Sequence, residues 1–129
     1  MKTNSFHYFS FALVLSVAFC CIIGFTSCKH SDRADAEQAA REFVSRAYNH
    51  DYDGAAEYAT ESTKGLLNFI KGLDSSKVDE EGIKSFQFEV VEDSIGESRG
   101  WIVYKDKTGS NNRIDLVKQD GKWLVDQKL

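Results

Sequence analysis

No cysteine occurs after residue 28, and the chain of 129 residues contains no proline and a single methionine. Cys20, Cys21 and Cys28 all lie in the first quarter. Whatever folds beyond them has no disulfide framework and no cysteine-based metal site. Stability must come from an ordinary apolar core, and about 100 residues is enough for one without staples. A basic stripe is missing as well. Lys2 is the sole charged side chain among residues 1–27, which leaves 15 Lys and Arg against 20 Asp and Glu in the remainder. A mildly acidic domain of this kind is a poor partner for nucleic acid, where phosphate binding depends on clustered cations. It also has no electrostatic reason to lie on anionic headgroups. Repeats and low-complexity segments are absent, and 42% hydrophobic with 28% charged residues is ordinary for a globular chain.

One long apolar run is present. Phe9 to Phe25 carries no charge and only two serines, behind a basic start at Met1-Lys2. At 17 residues it sits at the lower edge of membrane-spanning length. A basic start, an apolar stretch and then small residues is also the layout of a signal peptide. The boundary decides between the two. Phe25-Thr26-Ser27-Cys28 resembles the lipobox, where bacterial signal peptidase II cuts before a lipid-modified cysteine, although an aliphatic residue usually stands at the Phe25 position. Residues 1–27 are therefore expected to be a lipoprotein signal peptide, 28–33 a lipidated tether and 34–129 the folded domain. Acyl chains on Cys28, at about 0.8 kcal/mol per buried methylene, would make the anchoring effectively permanent. Lys29 follows where inner-membrane retention typically uses Asp. That analogy favours the outer membrane, facing the periplasm. From Cys28 to Asp32 an extended chain reaches less than about 20 Å, so the domain would sit close to the bilayer.

The folded part divides by period. Asp35 and Gln38 form a capping pair. Ala36, Ala39, Ala40, Phe43, Val44, Ala47 and Tyr48 then give one apolar helical face, which Asn49-His50-Asp51 ends. A short helix runs through Ala55, Ala56, Tyr58 and Ala59. Thr60 is the N-cap of a third, with Leu66, Leu67, Phe69, Ile70 and Leu73 as its buried stripe. Val78 to Gly82 reads as loop or a single turn. The period then changes to two. Phe86, Phe88 and Val90 predict one strand, Trp101 to Tyr104 a second, Ile114 and Leu116 a third, and Lys122 to Asp126 a fourth. Asp120-Gly121 is a type I′ turn signal. The fold class is α+β, with N-terminal helices packed on a curved four-stranded antiparallel sheet.

The Ala-rich first helix, the phrase Asp51-Tyr52-Asp53-Gly54-Ala55-Ala56-Glu57-Tyr58 and the closing Val117-Lys118-Gln119-Asp120-Gly121-Lys122-Trp123-Leu124-Val125 resemble the nuclear transport factor 2-like fold. More narrowly they resemble small bacterial lipoproteins of unknown function with a lumazine-binding-like domain. The resemblance covers residues 32–128 and implies a cone-shaped fold, its sheet wrapped around the first helix, with room for a pocket. It carries no catalytic signature, and fold does not transfer function.

Chemistry is sparse. Asn49-x-Asp51-x-Asp53-Gly54 has the glycine of a calcium loop, but its twelfth position is Thr60 and Glu61 comes one place late. A helix break explains the segment better. His50 beside Asp51 shows no second ligand at metal spacing, and no metal or cofactor is expected. Tyr48, Tyr58, Phe86, Phe88, Trp101 and Trp123 are core candidates that could also line the pocket and hold a small apolar ligand. Asp115 and Glu89 should point outward, leaving no inward carboxylate for isomerase chemistry. Ile102, Tyr104, Val117 and Leu124 are expected on the outer sheet face, as an apolar patch for a homodimer or an envelope protein. The chain thus reads as a lipid-anchored cell-envelope protein with a non-catalytic domain that binds an apolar ligand or a partner protein. The alternative is a small isomerase- or hydratase-like enzyme using the cone pocket.

Overall fold

A computed structural model of the chain describes residues 32–128. Helix α1 covers residues 32–48, so Asp35 and Gln38 lie within it and not at its cap as the sequence suggests. Its alanine-rich face is buried as the periodicity predicts, with Ala36, Ala39, Ala40, Phe43 and Val44 all in the core. Alanine loses no rotamer freedom on burial and lets the helix approach its neighbours closely. The helix ends in a Schellman arrangement: His50 N–H donates to Ala47 O and Asp51 N–H to Arg46 O, with His50 at φ 66°. Helix α2, Tyr52–Ala56, starts at once, because the Asp51 side chain caps it by accepting from Gly54 N–H. Helix α3, Glu61–Leu73, has Thr60 as its N-cap, accepting from Thr63 N–H. A further short helix, α4 (Glu80–Lys84), forms where a loop or single turn is expected from sequence; Asp79 caps it.

Four strands follow: β1 (Glu89–Ile95), β2 (Arg99–Lys105), β3 (Asn111–Gln119) and β4 (Lys122–Val125). They form one antiparallel meander in the order β1-β2-β3-β4. The β3–β4 turn has φ 53° at Asp120 and 77° at Gly121, the left-handed pair that a type I′ turn requires. Beyond β4 the edge is closed by the segment after α2. Ala59 bridges Val125, Thr60 N–H donates to Val125 O, and Val125 N–H donates to Tyr58 O. Thr63 Oγ1 also accepts from Gln127 N–H, which ties the start of α3 to the end of the chain.

Registered partners on antiparallel strands share a face. The inner face therefore presents Val90, Ile95, Ile102, Tyr104, Ile114, Leu116, Trp123 and Val125, and these join the buried face of α1 in one apolar cluster. The outer face presents Trp101, Val103, Arg113, Asp115, Val117 and Leu124.

Four expectations need correction here. Phe86 and Phe88 precede the first strand, which begins at Glu89. A bulge between Val90 and Glu92 shifts the register by one residue, so Asp93 faces inward opposite Ile102. Ile102 and Tyr104 belong to the core and not to the outer patch, being 1% and 6% exposed; Trp101 and Val103 take their places outside. The apolar run from Trp101 to Tyr104 gives no alternation from which to read parity. Finally, α3 buries only Leu67 of its expected stripe, and Phe69 and Leu73 are 66% and 76% exposed.

Two truncations separate core from surface. Ile102→Ala should cost about 2–5 kcal/mol in urea unfolding. Phe69→Ala, although it removes a larger side chain, should stay within about 0.5 kcal/mol of the parent. Equal losses would contradict the burial described for the two positions.

Candidate functional site

The left-handed conformation at the end of α1 puts the His50 ring beside the end of α3. His50 Nδ1 lies 2.6 Å from Asp74 Oδ2, and the Tyr52 hydroxyl donates to the same oxygen at 2.5 Å. A carboxylate only accepts, so the His50 proton in this pair sits on Nδ1. The other Asp74 oxygen accepts from Ser76 N–H at 2.9 Å. Hydrogen bonds from Tyr52, then Ser76, then His50 hold the Asp74 carboxyl well below its usual pKa, while the bond to Asp74 raises that of the Tyr52 phenol. This corner is half-open, with 37% of the His50 side chain and 21% of Asp74 exposed. A histidine at φ 66° occupies a place that glycine takes at far lower cost. The Schellman hydrogen bonds and the contact with Asp74 both act against that strain.

Neighbouring carboxylates are engaged elsewhere. Asp51 pairs with Arg46 at 2.8 Å and caps α2, and Asp53 pairs with Lys71. Asn49 Nδ2 donates to Ser45 O. The side chains of the calcium-like phrase are thus used in helix capping and ion pairs.

The second place is a groove of about 510 Å³ on the outer sheet face. Trp101 lines it, and the Arg113 guanidinium lies over the indole, 4.9 Å from the ring centre. Arg113 also donates twice to Asp115. Arg99, Val117, Asp126 and Lys128 also contribute to the lining. An aromatic plane, two guanidiniums, an ammonium and two carboxylates in one depression suit a ligand or segment with both apolar and charged groups.

The residues singled out from sequence are distributed as follows. Cys28 lies outside the described residues. Tyr48 and Phe86 meet at 5.5 Å, and Phe88 stacks on Tyr104 at 4.7 Å, with the Arg41 guanidinium 5.7 Å from the Phe88 ring centre. Burial, followed by the adjacent Tyr48 hydroxyl, pushes the Tyr104 phenol far up. Trp123 is buried on the inner face, and its Nε1 has no hydrogen-bond partner. Tyr58 lies beneath the Lys122 ammonium, 5.6 Å from its ring centre. Trp101 is on the opposite sheet face from Trp123.

Two features escaped the sequence reading. Asp74 lies 24 residues from His50 and 22 from Tyr52, so no local spacing could join them. Asp93 escaped because of the bulge; it is held by Arg33, whose Nη2 donates at 2.6 Å. An inward carboxylate therefore exists, already paired with a cation from α1.

Substitutions at His50 should separate strain from bonding. His50→Ala loses the Asp74 bond and keeps the left-handed backbone, so it should be less stable than His50→Gly by about 1 kcal/mol in denaturant unfolding. The reverse order would contradict the strain described. Asp74 gives a pH signature. Its folded pKa is depressed, so its stabilisation is complete above the ordinary carboxylate value of about 3.9 and is lost as pH falls through the folded value. Unfolding midpoints of Asp74→Asn and the parent should differ at neutral pH and converge on acidification. A constant difference would contradict that role.

No family model and no curated protein matches the chain. A solved structure does. A Campylobacter jejuni protein described as "Putative NTF2-like transpeptidase" aligns with a TM-score of 0.50 at 21% identity, over 71% of this chain and 97% of that one. At that identity the likeness concerns architecture alone. The helices followed by a four-stranded antiparallel meander give this chain a nuclear transport factor 2-like α+β fold.

Proposed function

We propose that this chain is a lipid-anchored cell-envelope protein whose domain is a non-catalytic binding module, with the outer-face groove at Trp101 as its binding surface. The observation that carries this reading is the placement of Trp101 under Arg113, on the sheet face away from the core. An indole on a sheet face presents a large rigid surface at low entropic cost, which is why tryptophan and arginine dominate binding hot spots. Inside, the apolar volume between α1 and the sheet is taken by Phe43, Ile102, Leu116 and Trp123. A small ligand with apolar and charged groups, or a segment of a partner protein, fits the chemistry of the groove.

Anchoring through Cys28 rests on the lipobox-like boundary Phe25-Thr26-Ser27-Cys28 and the apolar run before it. Outer-membrane attachment facing the periplasm follows from Lys29 by analogy. Among the described residues no helix is long and apolar enough to cross a membrane.

The fold is shared by enzymes and non-enzymes, so the neighbour's description does not decide between them. Acyl transfer needs a nucleophile within hydrogen-bonding reach of its base. The hydroxyl described near His50 is that of Tyr52, 3.5 Å from Nδ1, and its proton is given to Asp74 and not to the imidazole. Isomerase chemistry needs a carboxylate free to take a proton, and the inward-facing Asp93 is ion-paired with Arg33. Both observations favour the binding module.

Two measurements test the reading. Cys28→Ser should abolish acyl labelling and either release the chain to the soluble fraction or leave it uncleaved; labelling that persists contradicts the anchor. Native mass spectrometry of the purified protein should find a bound species that Trp101→Ala no longer retains. Retention unaffected by that substitution contradicts the groove as the binding surface.

A further inference from the structure

Helix α3 carries more apolar surface than the domain covers. Thr63 and Leu67 turn to the interior, and Ile70 sits at the edge of that face, 37% exposed. Leu66, Phe69 and Leu73, spaced three and four apart, fall on the adjoining arc. Ser62, Gly65 and Gly72 share it, so this side of the helix carries no charged residue in a chain that is 28% charged. The cations Lys64 and Lys71 lie on the other flank, paired with Glu61 and Asp53. A groove of about 590 Å³ runs beside the arc between Leu66, Phe69 and the end of the chain at Gln127 and Lys128.

We propose that this uncharged arc of α3 rests in the interfacial layer of the bilayer to which Cys28 is acylated. The proposal depends on the lipid-anchor reading and adds an orientation to it. Three observations select lipid as the occupant. First, the chain between Cys28 and Asp32 spans under about 17 Å when extended, so an anchored domain is never far from the membrane surface. The contact is then intramolecular, and its effective concentration makes a small apolar area sufficient. Second, the stripe from Leu66 to Leu73 is only about 10 Å long and one side chain wide. A stable protein interface needs about 800 Å² from each partner, far more than this strip offers. Third, the helix arc itself brings no ion to desolvate at the headgroup boundary, and the exposed Lys128 beside it can keep its ammonium among the headgroups, whereas the acidic domain as a whole has no electrostatic hold on lipid.

The test uses the full acylated chain in phosphatidylcholine vesicles with brominated acyl chains, comparing Phe69→Trp with the parent. Position 69 is exposed, so the substitution leaves the core intact. Emission gained in Phe69→Trp should be quenched most strongly by bromines at a depth of about 5–10 Å, while the Trp101 and Trp123 emission of the parent is not. Amide exchange across residues 62–73 should slow on reconstitution of the parent and remain unchanged for Phe69→Glu/Leu73→Glu. A chain that is acylated and floats with vesicles, yet shows neither quenching nor slowed exchange, overturns the orientation and leaves the anchor standing. A chain that is never acylated overturns both.

Discussion

The close approach of an alanine-faced helix to the inner surface of the sheet is the contact on which the other features depend. Ala36, Ala39 and Ala40 let α1 lie near Ile102, Ile114 and Leu116, with Phe43 and Val44 filling the remaining volume. Small residues on one side and branched residues on the other give dense packing without strained rotamers. At two further points the helix is held by charge: Arg33 pairs with Asp93 of β1, and Arg41 lies over Phe88, just before that strand. With the inner face committed to this contact, the outer face is the sheet surface available to the binding proposed above.

The periphery is arranged by polar links that bring distant segments together. Thr60 and Thr63 join the start of α3 to the chain after β4, and the Val125 backbone closes the sheet edge against Tyr58 and Thr60. At the other end of α3, Asp74 collects His50 and Tyr52. Helix α3 is thus fixed at both ends by hydrogen bonds and needs little apolar burial along its length. That explains how it can keep Phe69 and Leu73 in solvent.

How much of this was legible in the sequence depended on whether a local rule was in play. The α1 face, the Thr60 cap and the Asp120-Gly121 turn each follow from a short-range rule, and the structure agrees with them. Strand parity failed where a rule had no purchase. Four apolar residues in a row at Trp101 to Tyr104 do not alternate, and the bulge at Val90/Glu92 inserts a residue that no pattern announces. In α3 the expected burial of the stripe stops at Leu67, because periodicity reports amphipathicity and not what covers it. The His50–Tyr52–Asp74 corner depends on tertiary contact over more than 20 residues, beyond any spacing rule.

The central claim is that the inner face of the sheet is filled by protein and the outer face is open for binding. The two tryptophans sit one on each face, and their accessibility tests that claim most directly. Acrylamide quenching of the full chain, assigned with Trp101→Phe and Trp123→Phe, should show one accessible indole, Trp101, and one protected indole, Trp123. An accessible Trp123 beside a protected Trp101 would reverse the faces and contradict the account.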